Sequence, residues 1–443
     1  MFAAPYPCLP AGAERSPGTP HGRRRPTAAW GAMLVIASLL SAGPAAAQRL
    51  ELERALEAAL AEDPGLLALT SAAASEEALA VAESAFPDPE IALAAQNFPV
   101  DTFDFGQEPM TQYRVALRQP LPRGRTRSLE QERYGVRAEQ YRLRARDRRA
   151  TIVRAVSLAW VDGVRDTRID ALLQESEPLF AELARIAESA YSVGYGSQQD
   201  VIRARLEQLH LQDREIRVAE QVVRSRVALS RWVGGLSALP LPAAPATIPA
   251  PRHSPAEWEA LMQDHPSVAV LELAVDEREL EVELARQAYR PRFALEVAYG
   301  ARGGEDMDGR QRPDFLSVGM TFDLPLFAAN RQDQRLSAAR YMQSAASSRR
   351  LDRIRQLQGE LAEALRRRQE LDARLDLYRA EILPASEQAA RAALAGYRAD
   401  ANDFAEVMRA HIAALDARIE LETLRSDLLA NAVELGYLAG EED

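Results

Sequence analysis

Two pairs of short segments alternate between large apolar residues and small or polar ones, which is the pattern of β-strands with one apolar face. In residues 293–300, the large residues are Phe293, Leu295, Val297 and Tyr299. Residues 316–323 alternate in the same way, and the segments 91–93 and 113–118 do so more weakly. We predict four strands from this pattern, at about residues 89–97, 113–120, 291–300 and 315–323.

A second pattern, with apolar residues at steps of three and four, extends over two much longer segments. These segments, about 126–191 and 331–394, contain no strong stop signal. Each predicts a helix of roughly 100 Å at ~1.5 Å per residue, with the patterning of a coiled coil. Return helices are predicted at about 199–233 and 402–438. Pro178 and Pro384 are predicted to kink the long helices, because a proline removes one helical hydrogen bond.

The two halves of the chain repeat each other. Pro64 and Pro266 are 202 positions apart, and Gly194 and Gly396 have the same separation. The chain therefore divides into a first repeat (48–235) and a second repeat (257–443). Six prolines between them predict an extended, non-helical connector over residues 236–256.

The N-terminal residues 1–47 have the features of an export signal peptide. Arg23–Arg25 precede a short apolar run over residues 30–40, and small residues follow at Ala45–Ala47. That run is too short to span about 30 Å of hydrocarbon, and no other segment looks apolar enough for a transmembrane helix. If the chain enters a membrane, the sequence predicts that it does so with strands.

The strand segments are separated by long loops rich in Gly, Asp and Pro, as in outer-membrane barrels. A soluble sheet that packs one face on a core would show the same alternation, but the export signal favours a barrel. Four strands cannot close a barrel, and lipid does not tolerate open sheet edges. The sequence therefore predicts that copies of the chain complete the barrel together.

Composition excludes several other functions. The formal net charge of −11 gives no support to a nucleic-acid partner. The single cysteine, Cys8, lies in the predicted signal peptide, and the five histidines are scattered, so we expect no metal site. No nucleophile elbow, phosphate-binding loop, metal-binding histidine pair or dinucleotide fingerprint is present, so we expect neither an enzyme nor a cofactor.

In several motifs the chain resembles the TolC-like outer-membrane efflux proteins over essentially its whole mature length. The motifs are the opening Leu50–Leu56 followed by Asp63-Pro64, Pro87-Asp88-Pro89, Gln119-Pro120-Leu121, and the segment from Tyr191 to Val201.

The resemblance implies a mainly α protein with membrane β. In this architecture, a homotrimer forms a twelve-stranded outer-membrane β-barrel, continued by a long periplasmic α-helical barrel. Such channels are passive outlets in the outer-membrane lipid, served by an inner-membrane RND-type pump and a periplasmic adaptor protein. By position, the adaptor would dock at Val193, Gly194, Tyr195, Gly396 and Tyr397. The acidic residues nearest the tips, candidates for narrowing the pore, are Asp200, Asp400 and Asp403.

The cargo is less specified. Residues 96–99 and 119–125 are similar to a CzcC-like subgroup that serves heavy-metal pumps. Two alternatives stay open: an outlet for type I protein secretion, and a periplasmic coiled-coil structural protein.

Overall fold

The computed structural model describes residues 49–242, 247–399, 401 and 403–441. The predicted signal peptide and Asp400 lie outside these residues. In the first repeat the elements are α1 (Leu52–Ala61), α2 (Pro64–Ser84), β1 (Glu90–Gln96), β2 (Gln112–Leu121), α3 (Thr126–Ser192) and α4 (Gln198–Val233). In the second they are α5 (Pro255–Asp264), α6 (Pro266–Gln287), β3 (Phe293–Arg302), β4 (Phe315–Phe322), α7 (Gln332–Leu377), α8 (Leu383–Arg398) and α9 (Phe404–Leu438).

The four strands form one antiparallel sheet in the order β1-β2-β3-β4. The two repeats join at its centre, where β2 pairs with β3 and Leu117 lies opposite Val297. Within the described residues, β1 and β4 are the sheet edges, each paired on one side. The helices extend from one end of this sheet, and α3 packs against α2, α4, α6 and α9.

The second long helix contains a local irregularity directly before Pro384, the position of the predicted kink. A π-helical turn, Tyr378–Ile382, separates α7 from α8. In this turn the Leu383 N–H donates to the Tyr378 carbonyl five residues back, which is the hydrogen bond that defines a π-helix. Pro384 follows directly and has no N–H to donate, so the chain takes up one extra residue here. Pro178, by contrast, lies inside a continuous α3.

The ends of the proline-rich connector are helical, which corrects the prediction that residues 236–256 contain no helix. A 3-10 helix, Gly234–Ala238, follows α4. Helix α5 begins at Pro255, capped by Ser254, whose hydroxyl accepts from the Glu257 N–H. A proline in the first helical turn costs nothing, because its N–H would have no helical partner there.

Helix α2 changes one further expectation. Within its 21 residues, an 18-residue window reaches a mean hydropathy of 1.2, so by length and composition it could cross a membrane. Its apolar character comes from alanine and leucine rather than from a run of bulky side chains. The statement that no segment after the signal peptide is apolar enough is therefore wrong, although α2 packs against α3.

Helices α2 and α6 begin in equivalent places but with different caps. Asp63 accepts from the Leu66 N–H at 2.8 Å and binds Arg148 at 2.8 Å. The Arg148 hydrogen bond lowers the pKa of Asp63. His265 occupies the equivalent position 202 residues later, where its Nδ1 accepts from the Ser267 N–H at 3.2 Å. Its Nε2 lies 3.1 Å from the Tyr437 carbonyl, which requires the proton to be on Nε2.

We expect the His265 cap to make stability depend on pH. Burial lowers the pKa of His265, and it faces Asp147, Arg353 and Glu360 on neighbouring helices. A lowered pKa means that the unfolded chain binds the proton more tightly. The stability is therefore fully present above the unfolded value of 6.5 and is lost as the pH falls through the lowered pKa. Protonation at Nδ1 also removes the acceptor for the Ser267 N–H.

Thermal unfolding of the wild type and the variant His265→Asn, measured between pH 5 and 8, tests this cap. On acidification the contribution of His265 to the free energy of unfolding should fall by at most about 1.4 kcal/mol per pH unit. Asparagine caps a helix without titrating, so the variant should show a flatter profile. If the wild type and the variant have the same dependence of stability on pH, protonation of His265 does not affect stability.

Candidate functional site: the strand faces and the helical tips

The large apolar side chains of the sheet lie together on one exposed face. Leu93, Leu316 and Val318 are 76%, 74% and 76% exposed. The same face carries Ile91, Val115, Leu117, Leu295, Val297, Tyr299 and Met320, all of which are exposed. No described element of the chain covers this row. Because an apolar surface of this size in water is unfavourable, it indicates a nonaqueous environment.

The opposite face is small and charged. Ala116, Ala294 and Ala298 are buried there, at 2%, 6% and 3% exposure. Between the alanines lie two ion pairs that cross the strands: Arg114 binds Glu296, and Arg118 binds Glu90 at 3.2 Å. These charged residues were not among the predicted site residues, although their position in the alternating pattern places them on the polar face. The face has the character of a channel wall.

The first helical tip is a tight turn between α3 and α4. Gly194 has φ +82°, and the N–H groups of Tyr195 and Gly196 both donate to the Ala190 carbonyl, at 2.9 and 3.0 Å. A Cβ on Gly196 would lie 3.0 Å from the Tyr191 nitrogen, so the turn favours glycine there as well. Val193 and Tyr195 project outward, 65% and 84% exposed.

The second tip has a different shape. Helix α8 continues through Gly396 and Tyr397 to Arg398. The Tyr397 ring packs edge-on against Phe404, 5.4 Å away, and Phe404 is 1% exposed. Tyr397 is thus half-buried in the core between the helices, whereas Tyr195, its equivalent in the first repeat, faces outward.

Two of the predicted pore acids also cap helices. Ser197 and Asp200 form a capping box at the start of α4: the Asp200 N–H donates to Ser197 Oγ, and the Ser197 N–H donates to the Asp200 carboxylate, both at 3.1 Å. Asp403 accepts from the Ala405 N–H at 3.3 Å at the start of α9. These carboxylates therefore have a structural task at the tips, and Asp400 lies outside the described residues.

A partly buried charge cluster lies further along α3. Arg165 binds Asp162 at 2.7 Å and Asp166 at 2.9 Å, and Asp427 of α9 is close enough to interact. Burial raises the pKa of Asp162, an effect that Arg165 opposes and Asp166 and Asp427 reinforce. The sequence does not predict this cluster, because nothing in the helical pattern distinguishes these acidic residues from solvent-exposed acidic residues. In the described ranges, no group of three or more histidine, cysteine or acidic side chains is arranged to hold a metal ion.

Comparison with known proteins agrees with this geometry. Residues 259–441, almost all of the second repeat, match the outer membrane efflux protein family. No curated protein sequence matches the chain significantly. The TolC-like resemblance inferred from the sequence is confirmed by the family match together with the fold.

The fold is that of several solved outer-membrane proteins. The chain matches VceC from Vibrio cholerae with a TM-score of 0.74 and 17% identity, over 88% of this chain and 96% of that one. It matches CusC with a TM-score of 0.74 and 15% identity, over 88% and 92%. It matches the open outer-membrane channel MtrE from Neisseria gonorrhoeae with a TM-score of 0.72 and 16% identity, over 88% and 89%. The predicted fold class is confirmed for the single chain, which is mainly α with one four-stranded antiparallel sheet.

Proposed function

We propose that this chain is one subunit of a trimeric exit duct, because its second repeat matches the outer membrane efflux protein family and its fold matches that of solved outer-membrane proteins. In this proposal it belongs to a tripartite efflux system, in which an inner-membrane RND-type pump supplies the energy and a periplasmic adaptor links the two. The observation that carries the proposal is the exposed apolar row on a four-stranded sheet with two open edges.

The sheet supports the barrel. Strands β1 and β4 each present unpaired backbone groups on one side, and lipid cannot satisfy them. Joining β4 of one copy to β1 of the next satisfies every edge, and three copies supply twelve strands. The apolar row then faces lipid, and the Arg114–Glu296 and Arg118–Glu90 pairs face the lumen.

Helix α4 supports the association of copies. An apolar row with steps of three, four and seven runs along it, with exposures from 48% to 71%: Ile202, Leu206, Leu209, Ile216, Val223 and Val227. Such spacing is a coiled-coil seam, which another helix normally covers. Since α4 packs mainly on α3 within the chain, the row is free for a neighbouring copy.

At the tips, the first turn is the stronger docking site for the adaptor. Val193 and Tyr195 are both exposed on a turn that Gly194 permits and that two hydrogen bonds to the Ala190 carbonyl close. Tyr397 and Gly396 offer less surface, because Tyr397 packs on Phe404. Asp200 and Asp403 then narrow the pore close to the docking site.

The proposed cargo class is heavy-metal cations, on the basis of the segments 96–99 and 119–125. Drugs or secreted proteins are the competing cargoes, and the duct itself needs no ligand for any of them. One experiment can therefore test the proposed cargo and the proposed duct separately.

The experiment uses a strain in which the gene is deleted and then restored in different forms. Deletion should increase sensitivity to cobalt, zinc, cadmium or copper salts, and wild type should restore resistance. The variant Tyr195→Ser should fail to restore it, because an interface tyrosine anchor typically contributes about 2 kcal/mol, or ~30-fold in affinity. Tyr341→Ser is the matched control: Tyr341 is 76% exposed but lies on α7, near the sheet.

Each result has a clear meaning. Sensitivity to drugs but not to metals would reject the metal cargo and leave the duct. Full resistance with Tyr195→Ser would reject the docking site at the first tip. Recovery of the wild-type chain in the soluble periplasmic fraction, with no trimer that dissociates on boiling, would reject the duct in favour of a periplasmic coiled-coil protein.

A further inference from the structure

The apolar row of β4 continues beyond the end of the strand. Within β4, the outward residues are Leu316, Val318, Met320 and Phe322. Leu324 and Leu326 extend the same alternation, and Phe327 follows; these three are 59%, 74% and 84% exposed. Since the strand itself ends at Phe322, the extension is not required by sheet pairing.

Backbone contacts show where pairing stops. The Asp323 N–H donates to the Arg292 carbonyl at 3.2 Å, and the Asp323 carboxylate accepts from the Arg292 N–H at 2.6 Å. Beyond this contact the chain turns, and the Leu326 N–H donates to the Leu324 carbonyl at 2.9 Å. Helix α7 then begins at Gln332. The chain therefore leaves the sheet through a turn at Pro325, and its large apolar side chains stay exposed between the end of β4 and the start of α7.

The first repeat has no such extension. After β2, only residues 122–125 precede α3, and they include Arg123 and Arg125. After β4, residues 323–331 precede α7, and the position equivalent to Arg123 is Leu326. The large apolar residues Leu326 and Phe327 are therefore specific to the second repeat, because Arg123 and Gly124 occupy the equivalent positions of the first.

We propose that Leu324, Leu326 and Phe327 form an apolar foot that inserts among the acyl chains of phospholipids in the periplasmic leaflet of the outer membrane. The inference rests on the proposed function, since it needs the sheet to be a membrane barrel. The lipid is the favoured partner because the foot follows directly on the lipid-facing row of β4 and its three side chains remain exposed. The exposed Arg331 and Arg335 follow in the position where arginine meets lipid phosphates.

Single-cysteine spin labelling tests the foot on the full chain. In a Cys8→Ser background, the variants Leu326→Cys, Phe327→Cys, Val318→Cys and Asn330→Cys are labelled with a nitroxide and reconstituted into phospholipid vesicles. Relaxation by oxygen, which concentrates in lipid, is compared with relaxation by a water-soluble nickel chelate. Val318 lies in the row of β4, and Asn330 is exposed just beyond the foot.

The expected oxygen-to-nickel ratios at Leu326→Cys and Phe327→Cys are within about twofold of the ratio at Val318→Cys and several times the ratio at Asn330→Cys. Either foot position decides the result, provided that the variant migrates as a trimer. A nickel-accessible label at both foot positions, with Val318→Cys in lipid, would overturn the foot alone. Exclusion of both reagents, with an immobilised spectrum, would assign the segment to a neighbouring copy instead. A nickel-accessible Val318→Cys would reject the barrel and the foot together.

Discussion

Replacing Val297 by arginine should abolish the trimer in the outer membrane. Val297 lies in the middle of β3, opposite Leu117 on one side and Val318 on the other, and is 48% exposed on the apolar face. A charged residue at the lipid face of a barrel costs about 2–4 kcal/mol at the bilayer midplane. Three copies would cost roughly 6–12 kcal/mol, comparable with the whole stability of a folded domain. Heat-modifiable migration of the outer-membrane fraction measures the loss.

The matched control is Ser317→Arg, one residue from Val318 on the neighbouring strand. Ser317 lies opposite Ala298, on the small and charged face that we assign to the lumen. An arginine there joins Arg114 and Arg118 in water, so the trimer should form as in the wild type. If Val297→Arg also assembles normally, the two faces of the sheet are assigned the wrong way round, or the sheet does not meet lipid.

The strands could be predicted from sequence because lipid and lumen impose opposite demands on successive residues. In β3 these demands produce an alternation of large apolar residues (Phe293, Leu295, Val297) with small or charged ones (Ala294, Glu296, Ala298). The register was not predictable, since several pairings keep the same faces aligned. Knowing that Glu90 lies opposite Arg118 required the structure.

The helices were predictable in extent but not in their irregularities. The spacing of leucines predicts a helix on both sides of Pro384, and it is equally compatible with a kinked α-helix or a π-helical turn. Which one forms depends on how the Leu383 N–H finds the Tyr378 carbonyl, a local geometric choice. Helix α1 was missed for another reason: it is short, and its burial of Ala55 and Ala59 comes from packing against distant segments.

The repeat predicted equivalent positions but not equivalent environments. Tyr195 and Tyr397 have the same offset as the other repeat matches, yet one is exposed and the other packs on Phe404. Asp63 and His265 likewise share a capping position, but burial beside Asp147 and Arg353 gives His265 a different titration. A duplicated sequence keeps its backbone path, whereas side-chain surroundings diverge wherever neighbouring helices differ.

The segment around Leu50 is anchored by Trp160, whose removal should cause a large loss of stability in the helical region. Trp160 of α3 is fully buried, and its indole N–H donates to the Leu50 carbonyl at 2.8 Å. The Leu50 N–H in turn donates to the Pro240 carbonyl at 2.9 Å, and Leu50 is itself fully buried. One side chain therefore connects α3, the start of the described chain and the connector between the repeats.

Trp160→Ala should lower the free energy of unfolding by about 3–5 kcal/mol, because it opens a large cavity among Ile152, Val156 and Leu229. Trp160→Phe retains most of the volume and loses the hydrogen bond, so about 1–3 kcal/mol of its loss measures the unsatisfied Leu50 carbonyl. Denaturant unfolding of the detergent-solubilised protein, followed by far-UV circular dichroism, gives both values. Trp232→Ala is the control, since Trp232 is only partly buried and should cost less. If Trp160→Ala is as stable as Trp232→Ala, other contacts anchor the segment at Leu50 and the connector. The cluster around Trp160 then does not link the two repeats.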